Sequence, residues 1–284
     1  MRKFPATQKI RGWGRFLSLL IVLIVAGGCV SKHFDPEPKT VVLAPDLQGQ
    51  RPWRFTEGAP VRGDTSKKQI ALIFTGGDYG EGTGHILDVL QRREVKGSFF
   101  VTGDYIRKPD LQPHLKRMVR DGHYLGPHSD KHPLYAPWED RKKTLVTEDE
   151  FRADLLKNIE DLRAYGAMKD TTQPIYFIPP YEWYNEDQVR WSRPLGVFLF
   201  NFTPGSGSNR DWAPEDHKSF APSQTILDDI LAYEQKDPHG LNGFLLLLHL
   251  GSQRKDKMHV LLEPLLEQLA ARGYSFVRVD DMLK

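Results

Sequence analysis

From residue 69 onward the chain repeats one beat: a short apolar run, a polar loop, then a segment whose apolar residues recur at helical spacing. Seven such runs occur, among them Ile70-Ala71-Leu72-Ile73-Phe74, Ser98-Phe99-Phe100-Val101, Ile175-Tyr176-Phe177-Ile178 and Phe244-Leu245-Leu246-Leu247-Leu248; the others lie near residues 123–126, 197–202 and 274–279. Their length and continuity predict strands buried on both faces, as in a parallel sheet. Helices are expected near 85–94, 109–120, 148–165, 186–191, 223–234 and 257–271. Strand and helix in alternation require right-handed crossovers between parallel strands. With this many repeats, a closed or nearly closed β/α barrel is favoured over an open sheet.

The polar residues fall where such a barrel builds a site. Thr75 to Asp78, His128 to His132, Pro179 to Tyr184, Thr203 to Trp212, and His249 all follow the C-terminal end of an expected strand, so five loops share one rim. His128 and His132 stand four residues apart beside Asp130. In a helix or turn that spacing puts both imidazoles on one side, and neutral imidazole is a common ligand of divalent transition metals. Taken alone, the pair reads equally well as two ordinary loop histidines, and His249 after its leucine run reads as a strand-end cap. His85, His114, His123, His217, His239 and His259 face no motif and are assigned to the surface or to structural roles.

The first 28 residues differ from the rest. Arg2, Lys3, Lys9, Arg11 and Arg15 come without any acid, and are followed by an apolar run over 16–25 and then Ala26-Gly27-Gly28-Cys29. A basic start, a short apolar core and small residues make a secretory signal, and the run is short for a membrane span. Residues 1–28 are therefore expected to be a signal peptide. The small-small-Cys ending resembles a bacterial lipoprotein processing site, which implies lipidation at Cys29 and an exported, membrane-anchored envelope protein. Without those five cations, 34 basic residues stand against 37 acidic ones, so the formal charge of +2 gives no basic face and nucleic acid is excluded as a partner. One cysteine excludes an internal disulfide. Residues 29–68, rich in proline, glycine and charge apart from Thr40-Val41-Val42-Leu43, are expected to be a spacer, and 69–284 the β/α barrel, expected as a monomer.

On its five loops the chain resembles the polysaccharide deacetylases of carbohydrate esterase family 4, the NodB-homology domain. His128-Ser129-Asp130-Lys131-His132 fits H-S/T-x-x-H, Leu246-Leu247-Leu248-His249 fits L-x-L-H, Asp211-Trp212 ends a D-x-x-D-W pattern, and Pro179-Pro180-Tyr181 keeps the end of R-x-P-Y. The resemblance implies a distorted seven-stranded β/α barrel that removes N- or O-acetyl groups from a polysaccharide with a divalent metal, zinc before cobalt, nickel or manganese. It implies that His128 and His132 are metal ligands, that His249 is the general acid tuned by Asp211, that the Tyr181 amide belongs to an oxyanion hole, and that Trp212 lines the acetyl pocket. Pro180 and Trp183 join these as substrate-binding residues, with Tyr184 a further aromatic of the sugar platform.

Two departures matter. The T-F-D-D-G motif has become Ile73-Phe74-Thr75-Gly76-Gly77, which removes both the base and the metal carboxylate, and the arginine that pairs with the base has become Ile178. The losses are coherent, because that arginine without its carboxylate would be a buried unpaired charge. Asp78, in a glycine-rich loop, is the expected third metal ligand; the base is Asp78, Glu81 or Asp130. A second reading is a catalytically impaired carbohydrate-binding or assembly protein that retains the barrel and the metal histidines.

Overall fold

The computed structural model describes residues 49–284. The expected signal peptide, Cys29 and the Thr40–Leu43 run lie outside the described residues.

Seven strands carry the parallel architecture: β3 (Gln69–Gly76), β4 (Ser98–Val101), β5 (Tyr124–Pro127), β6 (Ile175–Phe177), β7 (Val197–Leu199), β8 (Phe244–His249) and β9 (Ser275–Val277), preceded by β1 (Arg54–Thr56) and β2 (Ala59–Arg62). Every ladder among β3 to β9 is parallel. β3 is the centre. β8 runs along one of its edges from Ile70 to Thr75, while β9 and β4 take consecutive stretches of the other, at residues 69–71 and 73–76. β5 extends the sheet beyond β4, and β6 and β7 form a separate pair.

The two seams between these sheets are bridged by individual hydrogen bonds. At the first, the Tyr176 amide donates to the Tyr124 hydroxyl at 2.8 Å, joining β6 to β5. At the second, Thr203, just beyond β7, meets β8 twice: its amide donates to the Leu245 carbonyl and its hydroxyl accepts the Leu245 amide, both at 3.0 Å. The ring is thus complete but laddered unevenly, which is the distortion expected of this barrel.

Alternation along the strands separates two cores. Ala71, Ile73, Phe100, Tyr176, Phe198, Phe200, Leu245 and Leu247 fill the inside of the ring. Ile70, Leu72, Phe74, Phe99, Val101, Leu246 and Leu248 face outward beneath α1 (Thr83–Arg92), α3 (Gln112–Arg120), α6 (Ser223–Lys236) and α7 (Leu262–Ala271), with α2 (Gly103–Arg107) between β4 and α3. Phe151, Leu155 and Ile159 of α4 (Glu148–Arg163) and Val189 and Trp191 of α5 (Glu186–Ser192) cover β6 and β7. Both of these helices start in capping boxes, Thr147 with Glu150 and Asn185 with Gln188, which satisfy the first orphan amides. α8 (Val279–Met282) ends the chain under the barrel, where Val279 and Met282 join the inner core.

The expected spacer over 29–68 is corrected within the described residues. β1 and β2 form an antiparallel hairpin whose two-residue turn, Glu57-Gly58, has both φ angles positive, the form that matches strand twist. Its carbonyls tie it to the barrel: Pro60 accepts the Asn201 amide, and Val61 accepts the Thr203 hydroxyl at 2.6 Å, so the hairpin braces the β7/β8 seam. Arg62, fully buried, ion-pairs with Asp237 at 3.2 Å and donates to the carbonyls of Asn242 and Gly240. The folded domain therefore starts well before residue 69.

Candidate active site

The C-terminal ends of the parallel strands open on a cavity of about 710 Å³. Its floor is the loop after β5, which is not helical: Ser129 and His132 both take positive φ, and the Ser129 hydroxyl accepts the His132 amide at 2.8 Å. α4 holds this loop by its backbone. Asn158 accepts the His128 amide, and the two carboxylate oxygens of Asp154 accept the amides of Asp130 and Lys131. The loop is anchored from below, so its two imidazoles are directed into the cavity.

His128 lies buried with Nδ1 2.8 Å from the Ile178 carbonyl, an acceptor, so Nδ1 carries the proton and Nε2 a lone pair. His132 Nε2 lies 3.3 Å from that lone pair, and the Tyr181 amide is directed at the same His132 nitrogen from 3.4 Å. The 3.3 Å separation lies within the roughly 3.0–3.4 Å that separates two donors bound at about 2.1 Å to one tetrahedral or octahedral ion, so the two nitrogens are spaced as ligands of one cation would be. Burial, with His132 beside it, holds His128 well below the usual histidine range. Burial and the nearby His249 bring His132 down to about 4. Both imidazoles are therefore neutral at pH 7. This donor pair fits a transition metal.

Facing them, His249 ends β8. Its Nδ1 is 2.6 Å from Asp211 Oδ1, while Asp211 Oδ2 accepts the His249 amide at 2.8 Å. The bidentate hold fixes the ring and leaves Nε2 free to exchange a proton. Burial alone would lower the His249 pKa, but the Asp211 charge and hydrogen bond, with Glu182 adding, raise it. The buried Asp211 carboxylate thus favours the protonated form of His249.

The expected carboxylates separate on inspection. Asp78 lines the cavity but is exposed, and it is engaged through its backbone carbonyl, which accepts from Lys108. Among the described residues no three His, Cys, Asp or Glu side chains stand close enough, as placed, to hold a metal, so neither Asp78, as expected, nor any other carboxylate completes a set with His128 and His132 without movement. Asp130 is buried and ion-paired with Arg107 at 2.6 Å, and Glu81 is held by Lys257 and by the Ser252 amide. Neither Asp130 nor Glu81 is free to act as a base. The carboxylate that faces the histidines is one that sequence reading passed over: Glu182 Oε1 lies 3.9 Å from His128 Nε2. Burial, with Asp211 nearby and partly offset by His249, pushes Glu182 up to about 7. Its only sequence signal was its position directly after Pro180-Tyr181.

At the position of the missing base, the Thr75 hydroxyl is buried without a partner and lines the cavity. The aromatic wall also differs from expectation. Tyr181 and Trp212 are exposed at the cavity, but Tyr184 is fully buried, with its hydroxyl donating to the Thr56 carbonyl, and so is a core residue. Pro180 is buried and sets the turn beneath Tyr181. Trp183 stands behind the wall, its indole donating to the Pro137 carbonyl and its ring 5.4 Å from that of Trp138. Trp138, 55% exposed and edge-on to Tyr181, takes the place expected of Trp183. A tryptophan directly after Pro137, in a loop that also holds Pro133, was the available sign.

Residues 62–198 match the family model for polysaccharide deacetylase. An uncharacterized 30.6 kDa protein of Geobacillus stearothermophilus is 31% identical over 227 residues, 80% of this chain and 75% of that protein. The peptidoglycan-N-acetylmuramic acid deacetylase PdaA of Bacillus subtilis is 28% identical over 222 residues, 78% and 73% of the two chains. Its solved structure, described as a family 4 carbohydrate esterase, superposes with a TM-score of 0.63 at 26% identity, covering 79% of this chain and 84% of that one. The same fold, at TM-score 0.62 and 20% identity, covers 81% of this chain and 70% of BA3943 of Bacillus anthracis, described as a pseudoenzyme of that family, so the fold by itself does not decide activity. Barrel, rim and relatives agree: the chain belongs to the polysaccharide deacetylase family.

Proposed function

We propose that this protein is a metal-dependent hydrolase that removes acetyl groups from a polysaccharide of the bacterial cell envelope, with acetylated peptidoglycan the first substrate to test. The observation that carries the reading is the opposition, across one cavity, of two converging imidazoles and the His249–Asp211 pair. A binding protein has use for the aromatic wall, but not for a proton donor clamped by a buried carboxylate. The relatives named peptidoglycan deacetylases support the substrate class.

His128 and His132 would hold the ion, zinc first, with cobalt, nickel and manganese as alternatives. When bound, it supplies Lewis acidity that activates water near neutral pH and polarises the acetyl carbonyl. The chain's own residues do the rest. The Tyr181 amide, directed at the point where the imidazoles meet, donates to the oxygen on which charge develops. His249 gives its Nε2 proton to the leaving nitrogen or oxygen while Asp211 stabilises the imidazolium. Trp212, Tyr181 and Trp138 present flat apolar surface to sugar rings. The Thr75 hydroxyl, lacking a protein partner, is free to bond a water or the substrate. Lipidation at Cys29 would keep the domain at the envelope where such glycans lie.

Acetate release from a panel of acetylated glycans, measured with metal content for wild type and His128→Ala, tests the reading. Wild type should carry metal and release acetate, and the variant should lose both, with a rate loss on the order of 10³-fold, equivalent to the several kcal/mol a Lewis acid contributes. Metal without release from any member of the panel would leave the binding-protein reading.

A further inference from the structure

We infer that Glu182 is the third protein ligand of the metal held by His128 and His132, filling the role left vacant at Gly76; this rests on the metal reading above. The family position cannot simply be refilled. A Cβ at Gly76 would lie 2.8 Å from Leu250 Cδ1 and 2.9 Å from Tyr105 Cδ2, so the surroundings have closed over it. The other carboxylates near the rim are engaged or exposed: Asp130 and Asp104 pair with Arg107, Glu81 with Lys257 and Asp211 with His249, while Asp78 is exposed.

Glu182 is different in three respects. Its side chain is only 13% exposed, and its one ion-pair contact among the described residues is to His128 Nε2 at 3.9 Å. A carboxylate removed from water costs several kcal/mol unless a cation compensates it, and among the described residues no lysine or arginine ion-pairs with this one. The backbone is bent to put it there: Tyr181 and Glu182 are consecutive left-handed residues with φ of 58° and 51°, each costing about 1 kcal/mol or more for a side chain with a Cβ. That bend is pinned, because the Glu182 amide donates to the Pro179 carbonyl and the Asn201 side chain donates to the Glu182 carbonyl at 2.7 Å. A glycine would take the same conformation without strain, so the glutamate is there for its side chain. Bringing its oxygen from 3.9 Å to the spacing of two donors on one ion requires about half an ångström, within reach of a small χ rotation. Two histidines and one carboxylate leave open positions on the ion for water and substrate.

The test is zinc and cobalt titration of the full protein, with cobalt visible absorption reporting the ligand field. Glu182→Gln should weaken zinc binding by about 100-fold or more, beyond the 10–100-fold typical of losing an outer-shell partner, and should change the cobalt spectrum. Asp78→Asn should change neither. A second readout needs no variant: zinc should protect Glu182 of the wild type, but not Asp78, from carbodiimide labelling followed by mass spectrometry. Zinc binding and a cobalt spectrum in Glu182→Gln equal to wild type, or equal labelling of Glu182 with and without zinc, would overturn this inference while leaving the deacetylase reading intact. A wild type with no zinc or cobalt affinity would overturn both.

Discussion

β3 and β8 lie side by side, and Thr75 is the register partner of His249, yet the two strand ends have diverged in opposite directions. β8 ends in a charged device, a histidine clamped twice by the buried Asp211. β3 ends in Thr75 and Gly76, with Gly77 following, and carries no charge there. The difference separates two functions that the family pattern combines on neighbouring strands. On the proposed reading, proton donation to the leaving group stays with His249, while the carboxylate beside His128 lies in the loop after β6, at Glu182. Ile178 fits the same account, since with no base at Thr75 an arginine there would be stranded; the Ile178 carbonyl instead orients His128.

Asp211→Asn should produce the larger effect on this comparison. An amide in place of the carboxylate removes the charge that holds His249 protonated, and kcat should fall by about 100-fold, the lower end of what acid catalysis contributes. The sign of the pH effect follows: the acid must carry its proton, so activity is retained below the His249 pKa and lost as pH rises through it. Asp211 raises that pKa, so Asp211→Asn should move the alkaline limb of the pH–rate profile to lower pH. An unmoved limb would mean that His249 is not the titrating acid.

Gly76→Asp probes the other strand and should act on stability more than on rate. Crowding against Leu250 and Tyr105 should cost about 1–3 kcal/mol, read as a lowered Tm, and metal affinity should not rise. A gain in zinc affinity would show that the β3 loop still accepts the ancestral ligand and that Glu182 is dispensable.

How much of this was legible beforehand depends on the reach of each interaction. The seven strands, the helices between them and the rim came from periodicity, because burial on both faces leaves a continuous apolar run. The hairpin was hidden: strands of three and four residues, one holding Pro60 and Arg62, have the composition of a linker, and only Asp237 and Thr203, far along the chain, make them structural. The two histidines and His249 were visible through motif spacing. Asp130 and Glu81 were misjudged because their partners, Arg107 and Lys257, lie 23 and 176 residues away. Glu182 was missed for a backbone reason, since a left-handed bend at a non-glycine residue has no sequence signature, and without it the side chain would point elsewhere.

The central claim is that His249 donates a proton to a departing amine across the cavity from the metal histidines. The direct measurement compares acetate release by wild type and His249→Ala on an N-acetylated glycan and on 4-nitrophenyl acetate, whose leaving group departs without protonation. The account predicts a loss of about 10²–10⁴-fold on the amide and a change of only a few-fold on the activated ester. Equal losses on both substrates, or no loss on the amide, would contradict it.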